Sequence, residues 1–113
     1  MGVWMSSRYQ KFFQEIKGGR TAILDSGVST ELERQGAPMR DTHWSGRVSI
    51  DEFDILVNTH KAYIDAGADV ITVNSYASSR LVLGESINES LIEKINKKNI
   101  EAAFEARIQT GAN

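Results

Sequence analysis

Two short apolar runs, each closed by a polar turn and each set among helical patterns, constrain this chain more than any other feature. The first is Thr21-Ala22-Ile23-Leu24, ending at Asp25-Ser26-Gly27, and the second is Val70-Ile71-Thr72-Val73, ending at Asn74-Ser75-Tyr76. Apolar or β-branched runs of this length bounded by turn residues suit buried strands. Around them the spacing becomes helical. Tyr9, Phe12, Phe13 and Ile16 repeat at helical intervals until Gly18-Gly19 stop them. Residues 29–35 are rich in helix formers and end at Gly36 and Pro38. Phe53, Leu56, Val57, His60, Tyr63 and Ile64 make a third stripe, up to Gly67. Leu91, Ile92, Ile95, Ala102, Ala103 and Ala106 make the last, in a helix expected to run to about Gln109. Ser7-Arg8-Tyr9-Gln10, Ser49-Ile50-Asp51-Glu52 and Ser86-Ile87-Asn88-Glu89 each match a capping box. Residues 37–47, with His43-Trp44-Ser45-Gly46, show no period and are expected to form a structured loop.

Strands that alternate with helices pair in parallel through right-handed crossovers. A parallel sheet must be covered on both faces or closed into a barrel. Two strands do neither, and a barrel of eight such units takes roughly 250 residues. The expected fold class is therefore α/β: the incomplete N-terminal portion of a (β/α)8 TIM barrel, with residues 1–113 as one domain fragment. It comprises an N-terminal helix and about two βα units, whose open strand edges favour self-association.

The net charge of -2 gives no basic surface for nucleic acid or an anionic membrane. Lys94, Lys97 and Lys98 are interleaved with Glu89, Glu93 and Glu101, as on a solvated helix face. No apolar run approaches the ~20 residues of a membrane span. The N-terminus lacks the basic-then-apolar order of a secretory signal, so a cytoplasmic protein is expected.

In a barrel of this kind the working residues sit where strands end. Asp25 could hold a substrate ammonium group through charge-assisted hydrogen bonds, or could cap a helix or fix the loop. Gly27 could let backbone N–H groups approach a ligand, or could take a positive φ in the turn. Tyr76 offers a phenol at the second strand end. His60 lies on an apolar stripe and is expected to be packed and hydrogen-bonded rather than a ligand, while His43 is assigned to loop structure. With no cysteine and two histidines far apart in sequence, the chain offers no metal ligands in a usable pattern and by itself is expected to bind no zinc tightly. No catalytic nucleophile–base set and no phosphate-binding glycine loop is evident.

The string Ile23-Leu24-Asp25-Ser26-Gly27-Val28-Ser29-Thr30-Glu31-Leu32-Glu33 resembles the opening of the homocysteine S-methyltransferase family, usually an LDGGMATELE-like segment. Trp44-Ser45, then His60, Tyr63 and Ala66-Gly67-Ala68-Asp69-Val70-Ile71, then Asn74-Ser75-Tyr76-Ala77-Ser78 continue the resemblance in order over about residues 20–109. It implies a (β/α)8 barrel that transfers a methyl group to the thiol of homocysteine, giving methionine. It also implies a donor, S-methylmethionine or S-adenosylmethionine in the first instance, and a zinc ion held by three cysteines in the full-length enzyme. The zinc would lower the thiol's pKa and keep a nucleophile available at neutral pH. By the same resemblance Asp25, Ser26, Gly27 and Tyr76 line the homocysteine pocket, with Asp25 toward the amino group and Tyr76 near the thiol. Ser26 and Val28-Ser29 depart from the family's Gly and Met-Ala. The zinc cysteines belong to a later part of the family barrel, so these residues alone are expected to be inactive. The alternative is a truncated, non-catalytic product that acts through self-association or a partner.

Overall fold

Two glycines deliver the chain into its two extended segments. In the computed structural model, which describes residues 7–37, 47–75 and 89–112, these segments accompany five helices. The helices are α1 (Ser7–Lys17), α2 (Val28–Arg34), α3 (Val48–Asp51), α4 (Phe53–Asp65) and α5 (Glu89–Thr110). Beyond α1, Gly19 takes φ 105°, and the Arg20 N–H reaches back to the Glu15 carbonyl while the Gly19 N–H reaches Ile16. Beyond α4, Gly67 takes φ 108°, and Ala68 and Gly67 repeat the pattern on Tyr63 and Ile64. Both are Schellman turns, which need a left-handed residue and so favour glycine. Each satisfies the last helical carbonyls and turns the chain back as an extended segment.

The two segments meet in parallel at Leu24 and Val70. Val70 donates to the Ile23 carbonyl at 3.2 Å, and Asp25 donates to the Val70 carbonyl at 3.0 Å. Pairing was expected along two four-residue strands, but among the described residues it stops at this one bridge. The reason lies at its ends. A continued ladder would send the Thr72 N–H to the Asp25 carbonyl and the Ile23 N–H to the Ala68 carbonyl. Instead Thr72 N–H donates to the Asp25 carboxylate at 2.7 Å, and Ile23 N–H to the Asp69 carboxylate at 2.9 Å. Two side chains have replaced the next backbone acceptors.

The helices make the core. Leu32 of α2, Val48 of α3, Leu56 and Val57 of α4, and Ala102 and Ala106 of α5 form one buried cluster with Ala37. The largest helix interface is α4 on α5, where small alanines allow close approach. Ile95 starts a second cluster with Ile50, Leu91 and Ile92.

One expected cap is not made. Ser49 is buried inside α3 and donates its hydroxyl to the Ile95 carbonyl at 3.0 Å, tying α3 to α5. Neither α3, preceded by Arg47, nor α4, preceded by Glu52, has a side-chain cap, and the hydroxyl that the Ser49 box would use goes to this tertiary acceptor. The third box, Ser86 to Glu89, lies outside the described residues except for Glu89, and so do His43 and Trp44. Among the described residues no helix is long and apolar enough to cross a membrane.

Several apolar side chains stay exposed, among them Leu24 at 63% and Ile108 at 67%. Leu56 is fully buried. Leu56→Ala is expected to cost about 3 kcal/mol through lost transfer energy and a residual cavity, whereas Ile108→Ala should stay within about 0.5 kcal/mol. Urea unfolding of both variants checks this contrast.

Candidate functional site

Asp25 follows the bridge directly, so its backbone is held by Val70 while its side chain meets the second segment. The residue is only 8% exposed. Its Oδ2 accepts from the Thr72 N–H at 2.7 Å and its Oδ1 from the Thr72 hydroxyl at 2.8 Å. Both are charge-assisted bonds, the stronger kind. The helix-cap alternative for Asp25 is corrected here: α2 is preceded by Gly27 and has no side-chain cap. Asp25 spends its carboxylate on the other extended segment.

A carboxylate oxygen has two acceptor directions, so Thr72 does not exhaust it. Asp25 lines a hollow of about 420 Å³ with Ser26, Gly27, Thr30, Thr72 and Asn74 among its walls. Three of the four expected site residues, Asp25, Ser26 and Gly27, thus share one concavity. The fourth, Tyr76, lies outside the described residues. Gly27 corrects another expectation, since its φ is -59° and no positive φ is needed. A Cβ there would come within 3.1 Å of the Thr30 hydroxyl oxygen, so close approach rather than turn geometry favours glycine.

Two side chains of α4 back this mouth. The Tyr63 hydroxyl donates to the Gly27 carbonyl at 3.1 Å and fixes the loop. Burial, with the charges of Glu31 and Asp25, pushes the Tyr63 phenol up. His60, one turn earlier, is fully buried. Its expected hydrogen bonds are not made: among the described residues neither ring nitrogen has a partner. Desolvation pushes the imidazole down, which favours its neutral form, with the Asp25 charge acting in the opposite sense. Nearer the second segment's end, Asn74 and Asn99 are buried, and Asn74 Nδ2 faces Asn99 Oδ1 at 3.5 Å.

At the other end of the bridge, Asp69 holds the Ile23 N–H and also the Arg20 guanidinium, at 2.7 Å. Arg20 pairs with Glu15 as well, and these carboxylates, Glu15 foremost, push its already high pKa up. Sequence reasoning missed Thr72, Asn74 and Asn99 as parts of the site and Asp69 as the bridge's other clasp. Their only signal was position, polar residues at the ends of, or facing, apolar runs. As for a metal, among the described residues no three His, Asp or Glu side chains gather as a ligand set, and the chain has no cysteine.

Residues 22–112 match the profile of a family described as homocysteine S-methyltransferase. Among similar proteins, selenocysteine Se-methyltransferase of Brassica oleracea var. italica is 38% identical over 92 residues, covering 79% of this chain and 26% of that protein. Homocysteine S-methyltransferase 1 of Arabidopsis thaliana is 37% identical over 94 residues, covering 80% of this chain and 28% of the relative. Homocysteine S-methyltransferase 2 of the same plant is 35% identical over 98 residues, covering 86% and 29%. The chain thus spans little more than a quarter of the length of the curated relatives it matches. No solved structure gives a significant match.

The clasp itself is testable. Asp25→Ala leaves the Thr72 N–H and hydroxyl without their acceptor and is expected to cost about 2 kcal/mol, in the range for hydrogen bonds to charged groups. Asp25→Asn keeps one acceptor and should cost under about 1 kcal/mol. A double-mutant cycle with Thr72→Val, followed by urea unfolding, should return a favourable coupling between the two side chains.

Proposed function

The chain belongs to the homocysteine S-methyltransferase family, and we propose that it forms the amino-acid-binding corner of a methyltransferase. The reaction we assign to the whole protein is transfer of a methyl group to the thiol of homocysteine, giving methionine. One observation carries this reading: a nearly buried carboxylate, Asp25, is fixed by Thr72 at the wall of a hollow that Ser26 and Gly27 also line. Homocysteine brings an ammonium group that needs an anionic partner, and Asp25 offers one already oriented. Orientation in advance removes part of the ordering cost of binding.

The relatives' names differ in acceptor, homocysteine in most and selenocysteine in one. Those two molecules share the α-ammonium and α-carboxylate and differ in the chalcogen and by one methylene of the side chain. A corner that reads the shared end suits either acceptor, with homocysteine favoured by the family description. Among the described residues no side chains gather as a zinc site, and the chain has no cysteine, so activation of the thiol is assigned to residues beyond these. Contacts to the methyl donor, S-methylmethionine or S-adenosylmethionine, are likewise assigned elsewhere. These residues alone are therefore expected to be inactive.

For the fold we propose the first two βα units of a (β/α)8 barrel. The parallel bridge, the helix before each extended segment and the exposed Leu24 and Val70 on that bridge all support it. Ile100, Phe104 and Ile108 form an exposed apolar row along α5. This row favours, as a second reading, a non-catalytic product that works by self-association.

The test is kinetic, in a chain of family length carrying these residues. Asp25→Asn keeps the shape and removes the charge, which should cost about 1.5–3 kcal/mol of substrate binding. The expected loss in kcat/KM for homocysteine is on the order of ten- to a hundredfold. Wild-type kcat/KM in this variant, with stability unchanged, would exclude Asp25 from substrate binding. Absence of methyl transfer in the parent would favour the second reading.

A further inference from the structure

We infer that His60 is a positioning residue that holds the Asp25 carboxylate in line for the substrate's ammonium group, an inference that rests on the homocysteine reading above. The placement comes first. His60 and Tyr63 stand one turn apart on α4, where residues at i and i+3 share a face. Tyr63 already reaches the Gly27 carbonyl at 3.1 Å, so this face of the helix lies behind the Asp25 to Gly27 mouth.

The chemistry of the side chain follows. His60 is fully buried, and among the described residues neither of its nitrogens is hydrogen-bonded. An imidazole in that state is a poor packing residue. Its polar atoms have lost water and gained nothing, and a leucine of similar size would fill the space without that penalty. A neutral imidazole carries one N–H donor and one acceptor nitrogen. The group near enough to feel it electrostatically is Asp25. Thr72 supplies Asp25 with donors from one side only. A donor from the α4 side, acting through one bridging water, stops the carboxylate from rotating about that edge. Asp25 then meets an ammonium group without first being ordered by it.

The experiment uses a chain of family length carrying these residues, with its histidines labelled with 15N. In the parent, His60 is expected as a single neutral tautomer whose nitrogen shifts move on Asp25→Asn and stay in place on Ser26→Ala. His60→Leu is expected to unfold at the same or higher denaturant concentration. It should raise KM for homocysteine about tenfold and keep kcat within about twofold. His60→Gln, which returns one N–H, should recover most of the loss in KM. Nitrogen shifts that ignore Asp25→Asn would overturn the inference, and so would a wild-type KM in His60→Leu. Should His60→Leu fail to fold, the nitrogen shifts and the His60→Gln kinetics still decide. Should the parent transfer no methyl group, the homocysteine reading falls, while the nitrogen shifts still decide whether His60 serves Asp25.

Discussion

Two aspartates, each accepting a backbone N–H from the opposite segment, hold the extended part of this molecule together. Asp69 takes the Ile23 N–H at one end of the bridge, and Asp25 takes the Thr72 N–H at the other. Between them lies a single parallel bridge, Leu24 to Val70. One bridge supplies few hydrogen bonds, and parallel pairing is slightly weaker per residue than antiparallel pairing. The charged acceptors compensate, since bonds to carboxylates are roughly twice as strong as neutral ones. The ends differ in use. Asp69 also meets Arg20, which closes the side from which the chain enters. Asp25 faces a hollow, on the side from which the chain leaves.

That difference ties the local structure to the chemistry. An extended segment that ended in ordinary ladder bonds would leave its last side chain free to turn. Here the last side chain is itself part of the ladder, so one side of the carboxylate is held by the other segment. The helices carry the load of stability, with Leu32, Leu56, Val57, Ala102 and Ala106 in the main cluster. Polar atoms are buried behind the mouth at His60 and Asn99, where an apolar core would be cheaper. Stability resides in the helix interfaces, and among the described residues the buried side-chain atoms without a partner belong to His60 and Asn99.

The helices were legible because their signals are local. The Phe53 to Ile64 stripe and the stop at Gly67 mark α4, though the box at Ser49 sets its start too early, and the Leu91 to Ala106 stripe marks α5. The apolar runs marked where the chain extends, yet the extent of pairing was hidden. It depends on side chains 46 and 47 residues distant taking the ladder's place. Ser49 illustrates the same limit: its sequence neighbours spell a capping box, while its hydroxyl goes to Ile95 on another helix. Asp25 was legible as a candidate site and ambiguous in role, because Thr72, its partner, is invisible to local pattern. His60 was legible as buried, but whether a buried imidazole finds partners depends on atoms that no spacing rule specifies.

Membership of the homocysteine S-methyltransferase family agrees with this picture, since the matched residues, 22–112, begin one residue before Ile23 and so include both clasps. The central claim is that the Asp25 carboxylate stands in for the next backbone acceptor. Amide hydrogen exchange at Thr72 tests it most directly, because that N–H has no backbone acceptor in the bridge. The expected result is protection of the Thr72 amide comparable to that of Val70 and Asp25, whose N–H groups pair with backbone carbonyls. Exchange of Thr72 at the rate of an unprotected amide, with Val70 and Asp25 still protected, would contradict the account.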